Sequence, residues 1–168
     1  MILASSRGNA LYFWAKSTED AVKRLIYLSS AVRLATRDDL AQILGAARRN
    51  NRRDGVTGLL MYHDGTFLQI LEGEETAVDR VFERIARNDL HRGVQSLPSS
   101  QVHERLFADW TMAFARPDAF CVDDDLGAKA FVAVRQDLDR IEASDKRAAT
   151  FVRRFFSTFR DLGSLTGR

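Results

Sequence analysis

Two polar side chains lie inside apolar runs that are typical of β-strands. Gln69 lies within the run Phe67 to Leu71, and Tyr27 lies within the run Leu25 to Leu28. A buried amide without hydrogen-bond partners costs on the order of 1 to 3 kcal/mol, and a buried phenol also needs a partner. If the two strands are neighbours in a sheet, the amide and the phenol can meet on its helix-covered face. The alternative is an outward-pointing Gln69 and an ordinary core tyrosine.

A pair of adjacent amides, Asn50 and Asn51, lies near the end of a predicted helix. Two amides present donors and acceptors together, which suits a planar heterocycle with a mixed hydrogen-bonding edge. Taken alone, the pair is better explained as an asparagine C-cap. The arginines of the run Arg48 to Arg53 could bind phosphate, but the helix dipole also favours them there, and we expect their charge to be solvated.

Other catalytic patterns are weak. The histidines His63, His91 and His103 lack a second ligand at metal-binding spacing, so no metal site is predicted. The sequence contains no serine nucleophile elbow and no Walker loop. Acidic residues at the N-termini of predicted helices are expected to cap them. They are Asp38 with Asp39, Glu74 with Glu75, and Asp123 to Asp125.

The elements that would position these side chains follow from periodicity and turn signals. An Asp-Gly turn at Asp64-Gly65 predicts a hairpin between two strands. The order is strand, helix, strand, strand, helix, strand, strand. This order predicts an α+β fold, a ferredoxin-like five-stranded mixed sheet with two helices on one face. The predicted strands are Leu25 to Leu28, Val56 to Tyr62, Thr66 to Leu71, Val94 to Val102 and Leu106 to Phe114. The predicted helices are about Arg37 to Asn51 and one that carries the apolar positions Val78, Val81, Phe82 and Ile85 and ends near Asn88.

The residues before and after the predicted α+β domain are expected to form extensions of it. Residues 1–22 show no sustained period and are expected to be flexible or a short helix. Residues 23–115 form the predicted domain, and residues 116–168 a two-helix extension that covers the other sheet face, a second copy or another protein. One helical stripe is Phe131, Val134, Leu138 and Ile141; the other is Ala148, Phe151, Val152, Phe155, Phe156, Phe159 and Leu162.

Composition limits the function classes. The chain has 168 residues, 45% of them hydrophobic, which fits one globular domain with a modest extension. The lone cysteine, Cys121, cannot form an intrachain disulfide, and no apolar run has the roughly 18 to 20 residues of a membrane span, so a cytoplasmic location is expected. A net charge of +2 is too small to indicate nucleic-acid binding.

Several separated motifs together resemble one known family. They are Tyr27, the pair Asn50-Asn51, the segments Asp54 to Leu60 and Phe67 to Gly73, and the segment Trp110 to Met112. In type, order and spacing they resemble the BLUF domain, the blue-light sensor using FAD, over about residues 23–115.

The resemblance implies a non-covalent flavin between the two helices on one sheet face. FAD is the expected cofactor, with FMN or riboflavin as alternatives. Ile43 and Ile85 would clasp the ring, Asn51 would bind its C4 carbonyl and N3 edge, and Asn50 would support that site. Two further candidates are Arg84, as a donor at the pyrimidine end, and His91. At the position of Asn88, several members of that family carry an acidic residue, so this chain differs from the family pattern there.

The implied mechanism is a photochemical switch. Tyr27 would donate an electron and a proton to the excited flavin, and Gln69 would change its tautomer or orientation. Trp110 and Met112 would sense the rearranged amide, although such residues on a strand are usually core packing. No effector enzyme is expected in residues 116–168, so the output would pass to a separate signalling protein or to a homo-oligomer, a dimer or larger.

Two other functional classes remain open at this point. The first is an enzyme of ferredoxin-like fold, such as an acyl-phosphate hydrolase, but the arginine-bearing phosphate loop of such enzymes is not found beside the first strand. The second is a nucleic-acid or partner-binding module that uses the face Arg48 to Arg53, although direct nucleic-acid binding is not expected.

Overall fold

The computed structural model describes residues 21–115 and 138–163. The strands are β1 Val22–Ala31, β2 Thr57–His63, β3 Thr66–Gly73, β4 His91–Ser96, β5 Ser100–Val102 and β6 Ala113–Ala115. The helices are α1 Arg37–Asp54, α2 Glu75–Ala86, α3 Leu138–Ser144 and α4 Lys146–Gly163. No helix within the two described ranges combines the length and the apolar character needed to cross a membrane.

The strands form one mixed sheet in the order β4-β1-β3-β2-β6, with β5 also paired to β1. β2 and β6 are parallel, whereas β1 pairs antiparallel with β3, β4 and β5, and β2 pairs antiparallel with β3. The predicted α+β, ferredoxin-like arrangement is therefore confirmed. Its central neighbours are β1 and β3, which carry Tyr27 and Gln69.

Two of the predicted strands are wrong in extent. The predicted strand Val94 to Val102 is divided into β4 and β5, because Pro98 between them has no backbone N–H to donate to a ladder. Of the predicted strand Leu106 to Phe114, only the end lies in β6. The amides of Leu106 and Phe107 donate to the buried carboxylate of Glu72 instead of to a neighbouring strand.

Helix ends follow the predicted chemistry at their N-termini. Thr36 caps α1 in a capping box with Asp39, and the Glu74 carboxylate accepts the first free amides of α2. The C-terminus of α1 differs from the prediction, because the helix continues to Asp54 and ends at Gly55 in the left-handed region, with φ +66°. Asn50 and Asn51 therefore lie within the helix and are not its C-cap. The predicted cap at Asp123 to Asp125 lies outside the described residues.

Alternating residues of the sheet build a core on each face. Leu25 and Tyr27 of β1 pack with α1 and α2 on one face, whereas Ile26 belongs to the cluster on the other. That second cluster includes Ile141 of α3 and Val152 of α4, so the predicted helical cover of the second face is confirmed for the described part of the extension. The predictions for residues 1–20, for Phe131 and Val134, and for the side chains of Phe159 and Leu162 lie outside the described residues.

A group of buried charges joins the sheet to the C-terminal helices. Arg24 on β1 donates through Nε to Glu72 Oε1 on β3 at 2.6 Å and through Nη1 to Asp145 Oδ2 at 3.3 Å. Arg24 and Glu72 are 1% and 0% exposed. Asp145 in turn caps α4, because its Oδ1 accepts the amides of Arg147 and Ala148. We call Arg24, Glu72 and Asp145 the buried ion cluster.

Gly58 lets β2 approach β3 closely. A Cβ at this position would overlap the backbone carbonyl of Ile70, which cannot move without breaking the β2–β3 ladder. We expect Gly58→Ala to destabilise the fold by about 3 kcal/mol, measured by urea unfolding. Gly45→Ala is the matched control, because its Cβ meets only the flexible Arg49 guanidinium at 3.4 Å. Equal stability of the two variants would contradict this expectation.

Candidate functional site

A cleft of about 480 Å³ lies between α1 and α2 and is floored by the centre of the sheet. This volume falls within the range of small-molecule sites. All eight residues predicted to bind the cofactor line the cleft. They are Tyr27, Ile43, Asn50, Asn51, Gln69, Arg84, Ile85 and His91.

The floor of the cleft holds the phenol and the amide together. Tyr27 and Gln69 are directly opposite each other in the β1–β3 register, so their side chains share a face. The Tyr27 hydroxyl donates to Gln69 Oε1, and both residues are buried. Burial raises the pKa of Tyr27 above its ordinary value, which keeps the proton on the hydroxyl at neutral pH. The phenol is therefore a neutral donor to the amide.

Met112, and not Trp110, is the neighbour of Gln69. Gln69 Nε2 donates to Met112 Sδ at 3.4 Å, and Met112 is 2% exposed in the core below α1 and α2. Trp110 packs with the cluster on the opposite face and stacks on Phe107, with ring centroids 6.0 Å apart. In this conformation the amide is bonded at both ends, to a phenol and to a thioether.

One face of α1 supplies a wall of the cleft. Ile43, Ala47, Asn50 and Asn51 recur at helical spacing and line it. Asn51 is 2% exposed, and its Nδ2 donates to the carbonyl of Thr111 at 2.9 Å. Its Oδ1 is a second hydrogen-bonding atom of the same amide, and Asn50 adds another amide beside it. The wall therefore combines an apolar stretch with an amide-bearing end.

α2 supplies the facing wall and an ion pair at the amide-bearing end. Ile85 is half-buried in the lining, and Arg84 Nη2 donates to Asp54 Oδ2 at the end of α1 at 2.7 Å. Hydrogen bonds from Arg53 and Arg84 lower the pKa of Asp54 to about 2, so this carboxylate is ionised at physiological pH. Asn88 also lines the cleft, but the acidic partner of Arg84 is Asp54.

His91 lies beside the phenol at the edge of the floor. Its Nδ1 is 2.9 Å from Ser29 Oγ, and its ring meets that of Tyr27 edge-on at a centroid distance of 6.5 Å. Burial lowers the pKa of His91, so the ring is neutral at pH 7. A neutral ring can accept a hydrogen bond at one nitrogen and donate one at the other.

Part of the lining was missed by reasoning from sequence. Ala46 and Ala47 fall at helical spacing between Ile43 and Asn50, so periodicity could have found them. Leu60 lies opposite Gln69 in the β2–β3 register, which only the strand pairing reveals. Arg48 was expected to be solvated, yet it is half-buried and its Nε donates to the Met112 carbonyl at 3.2 Å.

The donor set fits a planar heterocycle with one polar edge. Isoleucine side chains from two helices face each other across the cleft, and amides from Asn50, Asn51 and Gln69 lie at its polar parts.

Known proteins share both the sequence pattern and the fold. The chain is 35% identical over 92 residues to the photoactivated adenylate cyclase subunit beta of Euglena gracilis, covering 54% of this chain and 11% of that subunit. The chain thus spans about a ninth of the length of that relative.

Solved structures of similar proteins match a larger share of the chain. BlrB, a BLUF protein in its dark state, has a TM-score of 0.59 and 28% identity, covering 83% of this chain and 97% of that one. Klebsiella pneumoniae BlrP1 with FMN and cyclic diGMP has a TM-score of 0.56 and 27% identity, covering 67% of this chain and 30% of that one.

The family model described as BLUF, sensors of blue-light using FAD, matches residues 22–113. This match runs from β1 to the first residue of β6 and includes every residue that lines the cleft. Because it covers more than half of the sequence and the same residues build the cleft, the chain belongs to the BLUF family of blue-light sensors.

Proposed function

We propose that this chain binds FAD non-covalently in the cleft and uses Tyr27 and Gln69 as a light-operated hydrogen-bond switch. The observation that carries the proposal is the buried chain of contacts from the Tyr27 hydroxyl through the Gln69 amide to Met112. The cleft meets this chain at its floor, so a ligand between the helices would contact the amide.

The residues of the cleft suit a flavin. Ile43 and Ile85 would clasp the ring from the two helices, and Asn50 and Asn51 would bind its carbonyl and N–H edge. Arg84 would add a cationic donor beyond the ring, held in place by Asp54. When bound, the flavin supplies the absorption of blue light and an acceptor for one electron.

Tyr27 and Gln69 would carry the switching step. Tyr27 is the proposed donor of an electron to the ligand and of its hydroxyl proton through Gln69, because the buried hydroxyl is protonated and points at the amide. Both would return to Tyr27 after the amide has rearranged, so that no net oxidation remains. Gln69 has an acceptor end and a donor end, so a half-turn of the amide or a change of tautomer exchanges them. The Met112 sulfur accepts a hydrogen bond but cannot donate one. The amide therefore forms better hydrogen bonds in one of the two arrangements than in the other. A buried group with two unequal bonding patterns can act as a switch.

The C-terminal helical extension would transmit the signal to other molecules. Residues 23–115 would form the photosensory unit, and residues 116–168 would relay its state to a signalling partner or to a second copy of the chain. The contact between the two parts supports this role, since the buried ion cluster and the apolar core of the second face join β1 and β3 to α3 and α4. The residues before β1 would be an N-terminal extension, and the protein would signal without catalytic turnover.

The absorption spectrum of the purified chain, in darkness and after blue light, tests this function. We expect a bound flavin whose absorption shifts to the red on illumination and recovers in darkness. A colourless protein that does not take up added FAD, FMN or riboflavin would contradict the proposal and would favour a small enzyme or a binding module of the same fold.

Tyr27→Phe tests the assigned donor. We expect this variant to bind flavin but to lose the normal photocycle, because phenylalanine keeps the ring and lacks the hydroxyl that donates to Gln69. Transient absorption after a blue pulse measures the loss. Tyr62→Phe is the control, since the Tyr62 hydroxyl accepts the amide of Ala35 away from the amide switch. A wild-type photocycle in Tyr27→Phe would remove Tyr27 from the mechanism.

A further inference from the structure

Side chains, more than strand pairing, hold the segment that leads to Met112. β6 begins only at Ala113, and the Trp110 carbonyl accepts one backbone bond, from Gly58. The next two carbonyls, of Thr111 and Met112, accept side-chain donors from α1, namely Asn51 Nδ2 at 2.9 Å and Arg48 Nε at 3.2 Å. The position of Met112 against Gln69 therefore depends on α1.

Arg48 is suited to this anchoring because of its place on the helix. It lies three residues before Asn51, so both side chains project from the same side of α1. Arg48 is half-buried, and a hydrogen bond from a cationic donor is stronger than one between neutral groups. Unlike Asn51, Arg48 is not part of the cleft lining, and its contact toward the switch is with the segment that it holds.

We propose that Arg48 is a positioning residue that holds Met112 beside Gln69 and thereby slows the dark reset of the switch. The inference rests on the proposed photoreceptor function. With the Met112 backbone anchored, the sulfur and its methyl group stay packed against the amide, and reorientation of Gln69 has to displace them. Without the anchor, Met112 can move aside and the barrier to reorientation falls.

The first experiment compares dark recovery after blue light in the wild type, Arg48→Leu, Arg48→Lys and the control Arg49→Gln, an exposed neighbour on the same helix. We expect Arg48→Leu to recover about tenfold faster than the wild type, the range for loss of a charged hydrogen bond. Arg48→Lys should restore part of the delay, and Arg49→Gln should recover at the wild-type rate.

A double variant tests whether Arg48 acts through Met112. In a Met112→Ala background, which removes the side chain that packs against the amide, we expect Arg48→Leu to change recovery by less than twofold. An equal acceleration in both backgrounds would overturn the inference, as would unchanged recovery of Arg48→Leu in the wild-type background. Either result leaves the proposed function intact if the wild type photoswitches; a wild type without a red shift contradicts that function instead.

A third measurement, the NMR signal of the Met112 methyl group, does not depend on bound flavin. The chain has three methionines, and the methyl resonance that disappears in Met112→Leu assigns the Met112 signal in ¹³C-methyl spectra. In apoprotein and in flavin-loaded protein, we expect Arg48→Leu to move this signal toward the value of a mobile methionine, while the Met61 signal stays in place. An unmoved Met112 signal would show that Arg48 does not hold this side chain.

Discussion

Gln69→Leu is expected to abolish the light-induced red shift while flavin remains bound. Leucine fills nearly the same volume but can neither accept from Tyr27 nor donate to Met112. The variant also leaves the buried Tyr27 hydroxyl without its acceptor, so we expect it to be less stable by about 1 to 3 kcal/mol. Light-minus-dark absorption spectra and the flavin-to-protein ratio measure the two parts of the expectation.

The control for this prediction is another glutamine on a strand. Gln95 on β4 is exposed, so Gln95→Leu should retain both flavin and a wild-type red shift. A normal shift in Gln69→Leu would exclude the amide as the switch even if the protein binds flavin. Loss of flavin from Gln69→Leu would instead show that the amide serves mainly to hold the ligand.

Arg24→Met is expected to destabilise the protein by about 3 to 5 kcal/mol, because it leaves two buried carboxylates without their cation. Glu72 would keep its hydrogen bonds from the amides of Leu106 and Phe107, and Asp145 would keep those from the amides that start α4. Each carboxylate would lose its ion pair with Arg24. Urea unfolding followed by circular dichroism measures the change. We also expect increased proteolysis of α3 and α4, because Arg24 joins β1 to Asp145.

An exposed ion pair provides the control for Arg24→Met. Arg87 pairs with Glu83 one helical turn away, and its side chain is 79% exposed, so Arg87→Met should change the free energy of unfolding by about 0.5 kcal/mol or less. Similar losses in the two arginine variants would show that burial does not set the importance of Arg24. If Arg24→Met does not fold, Arg24→Lys keeps the charge but loses the forked geometry, and we expect intermediate stability.

Local signals in the sequence determined the element order as far as α2, the hairpin at Asp64-Gly65 and the acidic caps at Asp39 and Glu74. Each depends on residues a few positions apart, which is the range over which helical period, strand alternation and turn chemistry act. The cofactor candidates also followed from sequence, through motifs resembling a family and not from spacing alone. Their meeting in one cleft is a consequence of the β4-β1-β3-β2-β6 order.

Only the tertiary structure decided which residue lies beside Gln69, how Arg24 is neutralised and what holds the segment before β6. Met112 and Trp110 are two residues apart on a segment with little ladder pairing, so alternation could not show which of them contacts Gln69. Arg48 and Asp145 contact groups 64 and 121 residues away in the chain. Contacts of this kind depend on register and on side-chain reach between distant elements, and neither leaves a periodic signal in a single sequence.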